Sequence, residues 1–369
     1  MRTVCDKKQC NGCMACVDIC PQKAIIVKDG LANYDALIDE EICNNCGLCQ
    51  KVCPNIKPVN CREPIRWYQG WATQESIRMH SASGGVASAI AACFIKSGGE
   101  VCSCVFQNGN FCFECIGRQE LLNKITGSKY VKSNPKGIYK TVQQKLKSGK
   151  KILFIGLPCQ VAALKNFIRV DMHDKLYTID LICHGTPSPQ LLEMFLQQYG
   201  YSLKTLDDIQ FRAKTEFQIL SHGEGISSVT GVNDKYTIGF LQGLFYTDNC
   251  YSCPYAMLNR VGDITLGDSW GSDLSEEEKK RGISLILIQT KKGENILKQT
   301  ELCKKKVDLR RAVESNAQLR KPTIMPDGRG LFFKFIYAGR KFNTAVFVCC
   351  LKKSIKQEIK RLLIRMRFR

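Results

Sequence analysis

No apolar run in this 369-residue chain approaches the length that spans a bilayer. The opening residues, Met1-Arg2-Thr3-Val4-Cys5, lack the apolar stretch of a signal peptide, so the expected location is cytoplasmic. No zinc finger, RRM signature or recognition-helix pattern occurs, which argues against nucleic acid as the partner of a chain with a formal net charge of +20. No Gly-x-Gly-x-x-Gly follows an apolar strand, so an ordinary dinucleotide fold has no support. Residues 1–61 have no charge excess, with seven Lys/Arg against seven Asp/Glu, and all of the positive surplus lies beyond them. A body so basic suits an anionic cofactor or small-molecule substrate. The composition is otherwise that of a globular protein, 44% apolar and 24% charged, long enough for two or three domains.

Cysteine is what the chain has in quantity, with 22 residues. Two runs share one spacing: Cys10, Cys13, Cys16 and Cys20-Pro21, then Cys43, Cys46, Cys49 and Cys53-Pro54. This is the Cys-x2-Cys-x2-Cys-x3-Cys-Pro pattern that holds two cubane 4Fe-4S clusters in bacterial ferredoxins, where the fourth cysteine of each run ligates the other cluster. Cys10, Cys13, Cys16 and Cys53 then form one set, and Cys43, Cys46, Cys49 and Cys20 the other. Zinc sites rarely need three close cysteines and a Cys-Pro twice over. Thiolate ligands in a reducing compartment account for this clustering better than disulfides do. Gly12 and Gly47 fall in the loops, where backbone must approach a cluster closely. Cys5 and Cys61 lie outside the pattern and read as ordinary thiols. Short strands are expected at 24–27 and 37–38 about a turn at Asp29-Gly30. Pro54, Pro58 and Pro64 mark a boundary, after which Trp67, Tyr68 and Trp71 begin a new packed unit.

The remainder alternates strands and helices. Ser81, Ser83, Gly84 and Gly85 precede a helical stretch, Val86 to Lys96; small residues there serve either as a cap or as a phosphate seat at the positive end of the helix. Gly127 to Ser133 is a polar, basic and aromatic loop that also reads as a solvated turn. A strand at Lys151–Ile155 leads to Cys159 and a helix at about 161–167. A second strand at 176–182 leads to Cys183-His184 and another helix. This is the βαβ rhythm of a parallel sheet, in which ligands collect at the carboxyl ends of strands. Cys250-x2-Cys253 adds two more thiols. Together with Cys159 and Cys183 they suit a third cluster, a redox disulfide, zinc or plain core packing, and spacing alone does not choose.

In this order, the motifs resemble the beta subunit of coenzyme F-420 hydrogenase/dehydrogenase, in the version with a fused N-terminal ferredoxin domain. The likeness rests on the paired cysteine runs, the 81–85 and 127–133 loops and Gly156-Leu157-Pro158-Cys159-Gln160. It extends through Asp180-Leu181-Ile182-Cys183-His184-Gly185-Thr186-Pro187-Ser188, the Cys250/Cys253 pair and Gly262 to Gly271. The resemblance implies FAD held by Ser81, Ser83, Gly84, Gly85, Ser128, Lys129, Tyr130 and Ser133. It implies a third 4Fe-4S cluster on Cys159, Cys183, Cys250 and Cys253. Leu157 stands where the family commonly has Thr, which removes a hydroxyl beside Cys159.

The implied fold is a small two-cluster ferredoxin domain (1–61) fused to a larger α/β flavin-binding body with a mixed sheet (62–148 and 149–310), followed by a basic helical tail (311–369). The implied activity is that of an oxidoreductase passing electrons between clusters and FAD, and on to a hydride carrier or organic substrate; relatives of this type include proteins of surface-polysaccharide gene clusters. The alternatives are an electron-transfer subunit serving a redox partner protein, or a cluster-based redox sensor. Catalytic residues are not assigned. His184 could supply a proton or merely pack. Asp263 and Asp268 could orient substrate or serve as turn carboxylates. Lys352 to Arg369 reads as a basic amphipathic helix with Ile355, Ile359, Leu362, Leu363 and Met366 on its apolar side. It suits a peripheral membrane or partner contact, or packing on the body with its charged face in water.

Overall fold

The structure, a computed structural model, describes residues 2–229 and 231–367. The chain opens with β1 (Arg2–Thr3), β2 (Ile25–Asp29) and β3 (Tyr34–Ile38), paired antiparallel in the order β1-β3-β2. Side chains alternate across a strand, and in β3 Tyr34, Ala36 and Ile38 turn inward. They meet Val4, Ile25 and the sulfurs of Cys10, Cys16 and Cys53 in a very small core. Each cysteine loop runs into a five-residue helix, Ala15–Ile19 or Leu48–Val52.

The body follows with β4 (Arg66–Ala72), β5 (Glu100–Gln107), β6 (Asn110–Ile116), β7 (Ile152–Gly156) and β8 (Leu176–Leu181). A separate antiparallel sheet comprises β9 (Gln210–Ala213), β10 (Glu216–Ser221) and β11 (Glu224–Gly225). Then come β12 (Ile264–Asp268), β13 (Ser284–Ile288) and β14 (Leu302–Lys305). Eight strands form one mixed sheet in the order β14-β4-β13-β12-β8-β7-β5-β6. Its centre, β5-β7-β8-β12, is parallel, and the flanking pairs are antiparallel. Every residue of β7 and β13 is buried, as expected of strands covered on both faces. Residues 62–148 and 149–310 both contribute strands to this sheet, so they are halves of one unit.

The expected elements fall close to their places. The helix Val86–Lys96 matches, and the other helices are Pro158–Phe167 and Pro189–Gln197. Proline at the first helical position needs no N–H partner, which is why both of the latter begin there. Two features differ from the sequence reading. Cys102 and Cys115 stand directly opposite across β5 and β6 and are joined as a disulfide, a pairing that the preference for thiolate ligands did not anticipate. Within 311–369, the helices Gly328–Tyr337 and Phe342–Cys349 bury Phe332, Phe333, Phe342 and Val346 in the largest core cluster, against Phe195, Tyr236 and Phe245. The last helix, Leu351–Arg367, keeps its apolar side exposed, which is opposite to packing that side on the body. Phe368 and Arg369 lie outside the described residues.

The proline-marked boundary does not separate the head from the body. The Gly137 N–H donates to Asp18 Oδ1 at 2.7 Å, Ser188 Oγ to Asp29 Oδ2 at 2.6 Å, and Arg329 Nη2 to the Ala32 carbonyl at 3.1 Å. Cys13, Ala15 and Val52 of the head share one apolar cluster with Tyr139, Phe154 and Val161 of the body. Burial raises the Asp18 carboxyl pKa despite the Gly137 bond, because the charged form loses water there.

Candidate functional site

The two head sets separate as the crossed spacing requires. Cys20, Cys43, Cys46 and Cys49 line one opening together with Arg2 and Gly47. Arg2 Nη2 lies 3.4 Å from Cys43 Sγ, and Cys46 is exposed. Cys10, Cys13, Cys16 and Cys53 are buried, Cys13 against the body and the other three in the head's own core. Gly12 and Gly47 adopt φ of +67° and +71°, the left-handed turn that aims successive backbone amides inward. Cys5, read from sequence as an ordinary thiol, sits against Cys10 and Cys53. Its contact with Cys10 and its burial push its pKa up to about 11, against the opposing contact with Cys53.

The four body cysteines come from three places and line a single opening. Cys159 opens the helix after β7, Cys183 follows β8, Cys250 lies within a short 3₁₀ turn (Asp248–Ser252), and Cys253 ends it. The opening has an empty volume of about 640 Å³, open solvent included. Gln9, Asn11 and Asn55 of the head form part of its wall, and body residues such as Lys132, Tyr255 and Thr323 form the rest. Among the described residues, no three His, Cys, Asp or Glu side chains converge tightly enough to hold a metal ion. Burial, then the other sulfurs, hold Cys183 far above the usual thiol range. Cys159 rises to about 12, chiefly by burial and against the pull of Lys132. Thiolates at such depth require a compensating cation.

Protein bonds fix this opening. Arg260 and Asp180, 2% and 0% exposed, form a buried pair in which Nε and Nη2 both donate to Asp180 Oδ1, at 2.9 and 2.6 Å. Arg260 Nη1 also donates to the Tyr255 carbonyl and Nη2 to the Leu181 carbonyl. One guanidinium thus ties the Cys253 loop to the strand that ends beside Cys183. Lys132, buried between head and body, donates to the Asn11 carbonyl at 3.1 Å and lies 5.1 Å from the Tyr34 ring centre. Leu157 begins the Cys159 helix, its N–H donating to Gln160 Oε1 at 2.9 Å. Gln160 Nε2 donates in turn to Ser133 Oγ at 2.9 Å.

The stretches expected to hold a cofactor meet at residues that sequence reading did not single out. Ser81 Oγ donates to the Ile77 carbonyl and Ser83 Oγ to the Ile283 carbonyl, at 2.7 and 3.0 Å. Gly84 is closed against the sheet: a Cβ there would lie 2.5 Å from the Gly70 carbonyl oxygen. Gly85 turns the chain into the helix at φ +80°. Lys214, in the β9–β10 turn, directs its ammonium at the carbonyls of Arg78, Ser81 and Ser83. Burial, then repulsion from Arg78 and Arg212, lowers its pKa to about 8. Arg212 holds Asp268 through two bonds, of 2.6 and 3.2 Å, and donates to Tyr130 Oη at 3.2 Å.

Tyr130 stacks on Phe240 with centroids 4.5 Å apart. Lys129 turns back to the Thr126 and Gly127 carbonyls, and burial lowers its pKa. Ser128 lies half-buried beside it. His184 lines the cysteine opening, and desolvation lowers its pKa and favours the neutral ring. Asp263 accepts from the Thr178 N–H, Thr178 Oγ1 and Thr290 Oγ1, each at 2.8 Å. That network marks it as a brace between strands.

A docked two-run cysteine head on a mixed α/β body defines an iron–sulfur electron-transfer protein. Residues 149–312 match the family model for the C terminus of the coenzyme F420 hydrogenase/dehydrogenase beta subunit, and residues 9–55 match the 4Fe-4S dicluster domain. The chain thus joins a dicluster domain to a region of that family. A chain from a structure of the F420-reducing [NiFe] hydrogenase complex from Methanosarcina barkeri is similar in fold. Its TM-score is 0.51 at 19% identity, covering 71% of this chain and 90% of that one. Comparison with curated proteins returned no match.

Proposed function

We propose that the protein is an iron–sulfur flavoprotein oxidoreductase, in which the head cysteines and a body set of Cys159, Cys183, Cys250 and Cys253 hold three 4Fe-4S clusters leading to a bound FAD. One arrangement supports this reading above others. The body set lines an opening walled in part by Gln9, Asn11 and Asn55 of the head, and Cys13 of the buried head set packs in the same apolar cluster as Cys159. The other head set opens to solvent, where a redox partner can reach it.

A flavin would supply the conversion between single electrons and a hydride. The residues around the 78–85 loop suit its diphosphate. Arg78 and Arg212 both repel Lys214 there, even with Glu278 and Asp268 paired to the two arginines, and a bound anion would relieve that crowding. Arg212 and Lys214 would neutralise the phosphates, Tyr130 would present its ring, and Lys132 would hold positive charge between the head and body cysteines. Neutral His184 beside Cys183 can accept a proton near the reacting end. Substrates in surface-polysaccharide metabolism and a deazaflavin hydride carrier both fall within this chemistry.

A second reading, an electron-transfer subunit without flavin, is favoured by the Ser81 and Ser83 hydroxyl protons, which are both spent on backbone carbonyls. Anaerobic purification followed by flavin analysis separates the two. One FAD per chain, lost in Arg212→Ala, is expected. A protein that carries all its iron but neither retains nor takes up FAD would replace the first reading with the second.

A further inference from the structure

The final helix carries its polarity in reverse. A helix on a globular body normally turns its apolar stripe inward. Here Ser354 is fully buried, the Asn233 N–H donates to Gln357 Oε1 at 3.0 Å, and Lys235 Nζ donates to Glu358 Oε1 at 2.9 Å. Lys360 reaches the Gly231 carbonyl. The polar side therefore grips the body through the 231–235 segment. Leu351, Ile355, Ile359, Leu362, Leu363 and Met366 point away and are 44–74% exposed. At about 1.5 Å per residue, this stripe is roughly 22 Å long. Phe347 and Val348 of the preceding helix continue it.

An apolar stripe of this length in water marks a surface that something covers. Its borders identify the covering chemistry. Lys352, Lys353 and Lys356 are exposed alongside it. Residues 351–367 contain seven Lys/Arg and one acid, Glu358. That carboxylate is held by Lys235 and Arg361 on the body side. Stripe-to-stripe pairing of two copies would set these lysine borders against each other. An apolar interior beneath a layer of negative charge fits both features, with lysine stems lying over the apolar zone and their ammonium groups at the headgroups. No helix among the described residues is long and apolar enough to cross a membrane, so the contact is in the plane of the surface.

We propose that Leu351–Arg367 is an in-plane anchor for an anionic lipid bilayer, which seats this redox protein on a membrane surface. The test is co-sedimentation of the anaerobically purified full chain with vesicles of phosphatidylcholine, alone or with about one-third phosphatidylglycerol. Binding to the anionic vesicles alone, weakened by salt, is expected. Ile359→Glu/Leu363→Glu should abolish it. Lys352→Gln/Lys353→Gln/Lys356→Gln, altered only at solvent-facing side chains, should lower partitioning roughly 100-fold. Iron content equal to the parent protein verifies that each variant is folded. The proposal is overturned if the parent protein stays in the supernatant with both vesicles, binds both equally, or keeps its binding in either variant.

Discussion

The head and the body hold their cysteines in opposite relation to their cores. In the head, Cys10, Cys16 and Cys53 are themselves part of a core that otherwise has Val4, Ile25, Tyr34, Ala36 and Ile38. So few apolar side chains cannot offset the chain entropy of some sixty residues, and metal–thiolate bonds must supply the balance. In the body, an eight-stranded sheet and aromatic clusters around Phe195, Tyr236 and Phe245 form a large apolar core, against which Cys250 packs only as a half-buried neighbour. Its four thiols line an opening shaped by protein bonds such as Arg260–Asp180. A metal that is removed should therefore unmake the head and merely empty the body.

The largest effect that could break this contrast is iron removal. Chelation under anaerobic conditions should expose residues 1–61 to protease while the 66–350 sheet and helices resist. Equal survival of both would contradict it. Next is Arg260→Ala. Leaving Asp180 buried without its partner should cost about 3–5 kcal/mol in a denaturant titration. It should also empty the body site while the head keeps about eight iron atoms. An unchanged midpoint would show that metal, rather than protein, shapes the opening.

Smaller is the pH response of Lys214. Its pKa of about 8 lies below the ordinary lysine value of 10.5. Between these values the unfolded chain holds a proton that the folded chain has shed, so the group's destabilising effect is full below pH 8 and relieved as pH rises toward 10.5. The same loss of charge should weaken FAD binding as pH rises through about 8. Lys214→Gln should bind about tenfold more weakly at pH 7, as expected for one lost charge-assisted contact, and should flatten that dependence. A titration of affinity between pH 7 and 9.5 reads both.

The contrast also sets what could be read in advance. The head was legible because a cubane cluster fixes loop spacing so tightly that eight cysteines and their crossing follow from their intervals. The βαβ core was legible through the apolar runs at β7 and β8. The parallel strands carried Cys159 and Cys183 to neighbouring ends, but adding Cys250 and Cys253 needed the family likeness, since one Cys-x-x-Cys has several uses. Lys214 was hidden because Lys-Thr in a tight hairpin reads as a solvated turn, and Arg260 because nothing local distinguishes a buried arginine from a surface one. The docked head was hidden too: Asp18, Asp29 and Ala32 bond partners more than a hundred residues away. The reversed final helix shows the limit of periodicity, which located the apolar stripe correctly but not the direction it faces.

The central claim is that the body opening is a cluster site in line with the head. Iron and acid-labile sulfide per chain, measured anaerobically in the parent protein and in Cys250→Ser, test it most directly. About twelve iron atoms falling to about eight, with the two head signals intact, is the predicted result. About eight in both proteins would contradict it.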